Sequence, residues 1–289
     1  MSQIITKLSE ISHSYDALFV DLWGCVHNGV RAFDDANAAL VAYRKSGGKV
    51  VLVTNSPRPR AGVKLQLQQF GVDDDAWDTI ATSGDSARSA MFQGVVGQKV
   101  YFIGTDGELP FFEPLKILEN PMIIERVGID EAEGIVCTGL APDQSPEEYK
   151  AQLMLAKQRG LKLLCANPDI VVDRGHKREW CAGAVAQMYE QMGGTSLYFG
   201  KPHPPIYDLA RLRLNALGTT ISDDRILAIG DGIHTDIQGA VGEDIDSLFI
   251  TGGLAARETK TDQQPDPKAL ADYLAKMQFN PTFSIGFLR

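Results

Sequence analysis

Apolar residues recur with two different periods along this chain, and the switching between them predicts its elements. Ala17-Leu-Phe-Val20 runs apolar without interruption into Asp21, the pattern of a strand buried on both faces. Gly24 opens the loop behind it. Asp34-Asp35 then stands as a helix start ahead of Ala36, Leu40 and Tyr43 at helical spacing, and Gly47-Gly48 stops that helix. Residues 49–53, Lys-Val-Val-Leu-Val, read as a second buried strand. The chain therefore opens with a strand-helix-strand unit, whose strands should be parallel and whose crossover should be right-handed. The second strand ends in Thr54-Asn55-Ser56-Pro57, ahead of a helix expected over 59–70.

Residues 1–16 read as a short leading helix or arm, and the pattern restarts between about Thr82 and Thr195. There Asp85 is expected to cap a helix to Phe92, and strands are expected over 100–103, 122–125, 134–138 and 161–165. Ser145-Pro146-Glu147-Glu148 combines a capping box with proline at the first helical position. A turn, Asn167-Pro168-Asp169, precedes a helix expected over 179–192. The first pattern then resumes with strands over 197–199, 225–230 and 247–250 and helices over 206–217, from Thr235 to 241, and 267–277. The tail from Phe279 alternates aromatic and polar residues and is expected to dock on the core.

Composition narrows the class. With 289 residues, 44% apolar and 22% charged, the chain has ordinary globular usage and length for one large or two ordinary domains. A net charge of -9 argues against a nucleic-acid surface, which needs clustered Lys and Arg. No stretch approaches the roughly 18 apolar residues of a membrane span, and the N-terminus lacks a secretory apolar region, so a soluble cytoplasmic protein is expected. Cys25, Cys137, Cys165 and Cys181 contain no C-x-x-C pair. They read as reduced, buried thiols rather than a zinc site or disulfide framework.

Candidate chemistry gathers where the expected parallel strands end, the edge at which open α/β sheets bind ligands. Asp21 ends one strand. Thr54, Asn55 and Ser56 end the next with a hydroxyl, an amide and turn N–H groups suited to an anion. Lys201, between Gly200 and Pro202, projects from a stiff loop where a cation neutralises a phosphate or a carboxylate nucleophile. Asp231 and Asp236, at a strand end and in the following turn, are suited with Asp21 to one hard divalent cation. The structural alternatives are a turn cap at Asp21, a helix-capping turn at 54–57 and a solvated Lys201.

Leu-Phe-Val-Asp21-Leu-Trp-Gly, Thr54-Asn-Ser, Gly200-Lys201-Pro202 and Gly230-Asp231-Gly-Ile-His-Thr-Asp236 resemble, in order, the four motifs of the haloacid dehalogenase superfamily. The insertion between the second and third motifs is similar to the subfamily of phosphatases with a large α/β cap. The resemblance covers nearly the whole chain and implies an α/β fold. A Rossmann-like parallel-sheet core would comprise residues 1–81 and 196–289, with an inserted α/β cap over 82–195. It further implies a Mg²⁺-dependent phosphatase acting on a small phosphate ester, such as a sugar phosphate, through an aspartyl-phosphate. Asp21 would be the nucleophile, Thr54, Asn55 and Ser56 would hold the phosphoryl group, and Lys201 would steady its charge. Asp21, Asp231 and the backbone carbonyl of Trp23 would bind Mg²⁺, with Asp236 ligating through water or orienting Lys201. A similar Asn-Pro-Asp in cap-type phosphatases places Asn167, Asp169 and the loop to Arg174 and His176 near the substrate, and Arg58 could add charge.

One position departs from the family's phosphatases. They carry a second aspartate two residues after the nucleophile, which protonates the leaving group; here that residue is Trp23. Indole cannot do this work, which is worth roughly 10² to 10⁴ in rate. A slow enzyme, one limited to good leaving groups, or one using His27, His203 or His234 as a substitute acid is expected. A phosphometabolite-binding or regulatory protein with little turnover is the alternative. A dehalogenase also has an aromatic residue there, but needs no metal, and the Asp231–Asp236 pair speaks against it. The expected partner is a small phosphorylated metabolite, with neither nucleic acid nor membrane, and homodimerisation is left open.

Overall fold

The uninterrupted apolar runs become parallel strands, because only burial on both faces accommodates Val, Ile, Leu and Phe at successive positions. The computed structural model describes residues 2–115, 120–174, 177–218 and 220–289. In chain order its strands and α-helices are β1 (Gln3–Ile4), β2 (Ala17–Val20), α1 (Asp34–Lys45), β3 (Lys49–Thr54), α2 (Arg60–Phe70), β4 (Thr79–Thr82), α3 (Ser83–Phe92), β5 (Lys99–Ile103), β6 (Glu125–Arg126), β7 (Gly134–Cys137), α4 (Lys150–Gln158), β8 (Lys162–Cys165), β9 (Val171–Arg174), β10 (Lys177–Trp180), α5 (Ala182–Gln191), β11 (Thr195–Tyr198), α6 (Pro204–Asn215), β12 (Ile226–Gly230), α7 (Gln238–Gly242), β13 (Asp246–Ile250), α8 (Pro267–Met277) and β14 (Phe283–Ile285). The chain forms two units. Unit 1 comprises Met1–Thr54, Lys64–Ala81 and Tyr207–Arg289; unit 2 comprises Asn55–Val63 and Thr82–Ile206.

Unit 1 is built on a seven-stranded sheet in the order β1-β14-β13-β12-β2-β3-β4. Strand β2 is wholly buried and pairs in parallel with β3 on one side and β12 on the other. The chain moves outward from β2 to β3 and β4, whereas β12 to β14 fill the opposite side. The strand order thus reverses at β2, and the crevice at the carboxyl ends of β2 and β12 is the topological switch point of the sheet. Helix α8 closes part of one face by packing Leu270 and Leu274 with Phe249 of β13.

Unit 2 carries a five-stranded sheet, β11-β8-β7-β5-β6, with parallel pairing throughout. Val185 and Tyr189 of α5 and Leu153 of α4 pack with Ile135 and Leu163 on one face. Ala87 and Met91 of α3 pack with Val136 and Leu164 on the other. This is the helices-on-both-faces arrangement that near-continuous apolar strands require.

Several local expectations change. Of the helix or arm expected over 1–16, residues 2–15 take the arm form, with β1 at the sheet edge beside β14 and two 3₁₀ turns after it. The helix expected over 179–192 starts only at Ala182, because Lys177–Trp180 pairs antiparallel with β9 and takes its hydrogen bonds from that strand. Thr82 rather than Asp85 caps α3, its side chain accepting from the Asp85 N–H at 2.9 Å. Asp34 and Asp35 lie inside the first turn of α1, where their charge complements the helix dipole, and Phe33 occupies the cap position. Thr235 lies within a π turn, Ile233–Ile237, rather than capping a helix. The Ser145 capping box forms as expected, and the helix expected over 267–277 forms with Asp266 as its cap. All four cysteines are buried. No helix among the described residues is long and apolar enough to cross a membrane.

Candidate functional site

In unit 1, the β2–β12 ladder aligns two carboxylates. Ile229 is the register partner of Val20, and the next amide, Asp21 N–H, donates to the Ile229 carbonyl at 2.8 Å. Asp21 and Asp231 therefore leave adjacent strands at the same edge, each buried (9% and 5% exposed). Beyond Asp21 the backbone folds back on itself. The Leu22 carbonyl accepts from the N–H groups of Val26 (2.8 Å) and His27 (3.1 Å), and Gly24 N–H donates to the His27 carbonyl at 2.9 Å. This turn returns Cys25 so that its Sγ and one carboxylate oxygen each of Asp21 and Asp231 lie within 4.8 Å of one another.

Glycines make room for the charges. A Cβ at Gly24 would sit 2.3 Å from Asp231 Oδ2, and one at Gly253 would sit 2.0 Å from the same atom. Gly24 also has φ +77°, a left-handed conformation that a side chain disfavours. Leu254 N–H donates to Asp231 Oδ2 at 3.0 Å. Asp236, expected to ligate through water or to orient Lys201, lies outside the group within 4.8 Å. Its Oδ2 accepts from Gly232 N–H at 3.0 Å and from the Thr235 hydroxyl at 3.3 Å, and it fills the space a Cβ at Gly230 would need. Asp236 thereby holds the backbone that carries Asp231. Thr54 ends β3, the other neighbour of β2, and is buried.

Trp23 lays its ring over Gly29, where a Cβ would come within 2.2 Å of it. It meets His27 edge to face at 5.5 Å, and His27 meets Phe70 in the same way at 4.9 Å. His27 Nδ1 accepts from Gly29 N–H at 3.0 Å. Burial pushes its pKa down to about 4, so the imidazole is neutral at neutral pH and its basic nitrogen is occupied. His203 stacks on Tyr198 at 4.8 Å, with a pKa lowered by burial. His234 packs edge-on to Phe279 at 5.9 Å. All three histidines weighed as substitute acids are thus engaged in aromatic packing.

In unit 2, one amide joins residues that are far apart in sequence. Asn55 Oδ1 accepts from Lys201 N–H at 2.7 Å, while its Nδ2 donates to the Lys201 carbonyl at 3.1 Å and to Asp169 Oδ1 at 2.9 Å. Asn167 Oδ1 in turn accepts from Asp169 N–H at 3.0 Å. Gly200 is required for this closeness, since a Cβ there would fall 2.5 Å from Asn55 Oδ1. Lys201 is 4% exposed and enters a cis bond with Pro202. Ser56 Oγ accepts from Arg58 N–H at 3.3 Å. The Arg174 side chain and His176 lie outside the described residues.

Sequence reasoning missed two neighbours of these groups. Cys25 read only as a buried thiol, although its place in the loop behind Asp21 was a usable signal. Ser83, fully buried with no hydrogen-bond partner for its Oγ, lies where a Cβ at Gly200 would come within 2.7 Å; nothing in its sequence context marks it.

A parallel sheet with buried carboxylates at its switch point defines a Rossmann-like α/β core with its ligand site at that edge. Residues 18–116 match a family model described as haloacid dehalogenase-like hydrolase, and residues 198–277 match a second, HAD-hydrolase-like, model. A solved haloacid dehalogenase-like hydrolase from Brucella suis is 38% identical, with TM-score 0.84 over 99% of this chain and 100% of its own. The chain belongs to the haloacid dehalogenase-like hydrolase family. It is also similar to the 5'-nucleotidase YutF of Bacillus subtilis, 25% identical over 91% of this chain and 97% of that protein. The glycerol phosphate phosphatase of Mycobacterium tuberculosis, solved in complex with magnesium, shares the fold with TM-score 0.65 at 23% identity, covering 84% of this chain and 70% of its own.

Proposed function

We propose that this hydrolase is a Mg²⁺-dependent phosphatase that cleaves a small phosphate ester through an aspartyl-phosphate on Asp21. The observation that carries the reading is the pairing of Asp21 and Asp231, one oxygen of each within 4.8 Å, at adjacent strand ends. Two buried carboxylates so close repel one another unless a cation lies between them, and carboxylate oxygens are the donors that Mg²⁺ prefers. Asp21, Asp231 and the Trp23 carbonyl would hold the ion, with Asp236 steadying Asp231. The bound ion would supply charge neutralisation for phosphate and nucleophile together. The names of the similar proteins, a 5'-nucleotidase and a glycerol phosphate phosphatase, support a small phosphorylated metabolite as substrate.

In this reading an Asp21 oxygen attacks phosphorus, the ester P–O bond breaks, and the leaving oxygen takes a proton from solvent. Water then splits the acyl phosphate, releasing inorganic phosphate and restoring the carboxylate. Thr54, Asn55 and Ser56 bind the phosphoryl oxygens and Lys201 offsets their charge. Residues 1–81 and 196–289 act as the catalytic core. Residues 82–195 act as the cap, with Asn167 and Asp169 in selection of the substrate. The acidic chain works in the cytoplasm without nucleic acid or membrane, and a homodimer is compatible with this scheme.

The packing of Trp23 against Gly29 and His27 favours a second reading, a phosphometabolite-binding protein with little turnover, since His27, His203 and His234, the histidines weighed as substitute acids, are all engaged in aromatic packing. Phosphate release from aryl and sugar phosphate esters, with and without Mg²⁺, separates the two. Metal-dependent release lost in Asp21→Asn supports the phosphatase, with a steep preference for aryl esters. Binding of Mg²⁺ and a phosphometabolite without any release supports the binding protein.

A further inference from the structure

We infer that Cys25 adds a soft side-chain donor to the Asp21–Asp231 centre and biases it toward a softer divalent ion, such as zinc, cadmium or cobalt. The inference rests on the proposal that this pair binds a metal. Its geometric basis is the set of three donors, two carboxylate oxygens and one sulfur, all within 4.8 Å of one another. Metal–ligand bonds of about 2.0–2.3 Å let one ion close such a set with small side-chain shifts.

The thiol is carried there by a built turn. The Leu22 carbonyl gathers the N–H groups of Val26 and His27, and Gly24, with φ +77°, lets the chain pass against Asp231 Oδ2 where any Cβ would collide. Cys137 and Cys165 show the contrasting use of the residue, as members of an apolar cluster. Cys25 is 1% exposed and has two carboxylates as near neighbours, an unusual setting for a thiol that serves only as a small hydrophobe. Oxygen donors alone suit Mg²⁺, whereas a thiolate adds a soft donor that zinc, cadmium and cobalt accept and Mg²⁺ does not. On coordination the sulfur binds as thiolate and its proton passes to solvent.

Titration of the full-length protein with Co²⁺, followed by near-ultraviolet absorption, tests this directly. A sulfur-to-cobalt charge-transfer band is expected in the native chain and absent in Cys25→Ser. The same variant should lose at least about tenfold in Cd²⁺ affinity and change its Mg²⁺ affinity less than twofold. X-ray absorption of the zinc-loaded native protein, which needs no variant, should show one sulfur among the ligands. Metal binding with neither the band nor the sulfur overturns the role of Cys25 and leaves the metal reading intact. Failure of the native chain to bind Mg²⁺, Co²⁺ or Cd²⁺ overturns both.

Discussion

In unit 1 the adjacent strands β2 and β12 run out into Asp21 and Asp231, whereas in unit 2 the adjacent strands β7 and β8 end in Cys137 and Cys165, which are register partners. Both pairs are buried in parallel sheets flanked by helices. The surroundings differ because the costs differ. A buried carboxylate loses several kcal/mol of hydration unless charge or hydrogen bonds replace it. Around Asp231 and Asp236 the chain provides backbone N–H donors from Leu254 and Gly232 and omits side chains at positions 24, 230 and 253. The two thiols need no such provision; desolvation simply raises their pKa values and keeps them protonated. Equivalent strand ends in similar sheets are thus prepared for charge in one unit and for packing in the other.

The sharpest way to break that contrast is to neutralise one residue of each pair. Asp21→Asn should lower phosphate release by about 10⁴-fold or more, and Cys137→Ser should leave it within about twofold while lowering stability by about 1 kcal/mol for the buried hydroxyl. Comparable losses from both variants would remove the distinction. Next in size is Trp23→Asp, which places a carboxyl where family phosphatases have one. Turnover of alkyl phosphates should rise by about 10²-fold, with aryl esters changing much less, and equal gains for both ester classes would argue that Trp23 is not what limits leaving-group protonation.

Asn55→Ala probes the polar cluster of unit 2, where one amide makes three bonds to Lys201 and Asp169. The buried Lys201 N–H and the Asp169 carboxylate would each lose a hydrogen bond, so denaturant unfolding should show a loss of about 2–3 kcal/mol. Asn55→Asp should recover none of that loss, because its second carboxylate oxygen would face Asp169 Oδ1 and the Lys201 carbonyl where the amide now donates.

A comparable effect on stability, read through pH, is expected at His27, whose folded pKa is about 4 against an unfolded value near 6.5. Between these values the unfolded chain binds more protons, so stability rises with pH across that window. His27 therefore contributes fully above pH of about 6.5, and its contribution falls away as pH drops toward 4, with a slope of at most about 1.4 kcal/mol per pH unit. Unfolding measured between pH 4 and 7 should show this slope, and His27→Gln should remove it. An unchanged slope in the variant would assign the pH dependence to other groups.

Much of this was legible because the chemistry sits where periodicity changes. Asp21, Thr54 and Asp231 each follow an uninterrupted apolar run, so the strand end and the polar residue announce each other. The helix starts at Ser145 and Asp266 were equally plain, since a cap satisfies its own backbone within three residues. Other features depended on partners that local pattern does not reveal. Residues 177–180 carry helix-compatible side chains and become a strand only because β9 supplies the ladder. The arm at Gln3–Ile4 gains its conformation from β14, near the opposite end of the chain.

By itself, then, the sequence determined the two-period alternation, hence parallel sheets with flanking helices and polar residues at the strand ends. These are local consequences of side-chain shape and burial. Tertiary structure alone decided which of those polar residues meet. Strand order placed β12 beside β2 and so Asp231 beside Asp21, a backward turn added Cys25 to them, and one amide at Asn55 tied Lys201 to Asp169. Such assemblies depend on long-range strand neighbours and on glycines that permit close approach, neither of which any single stretch of sequence records.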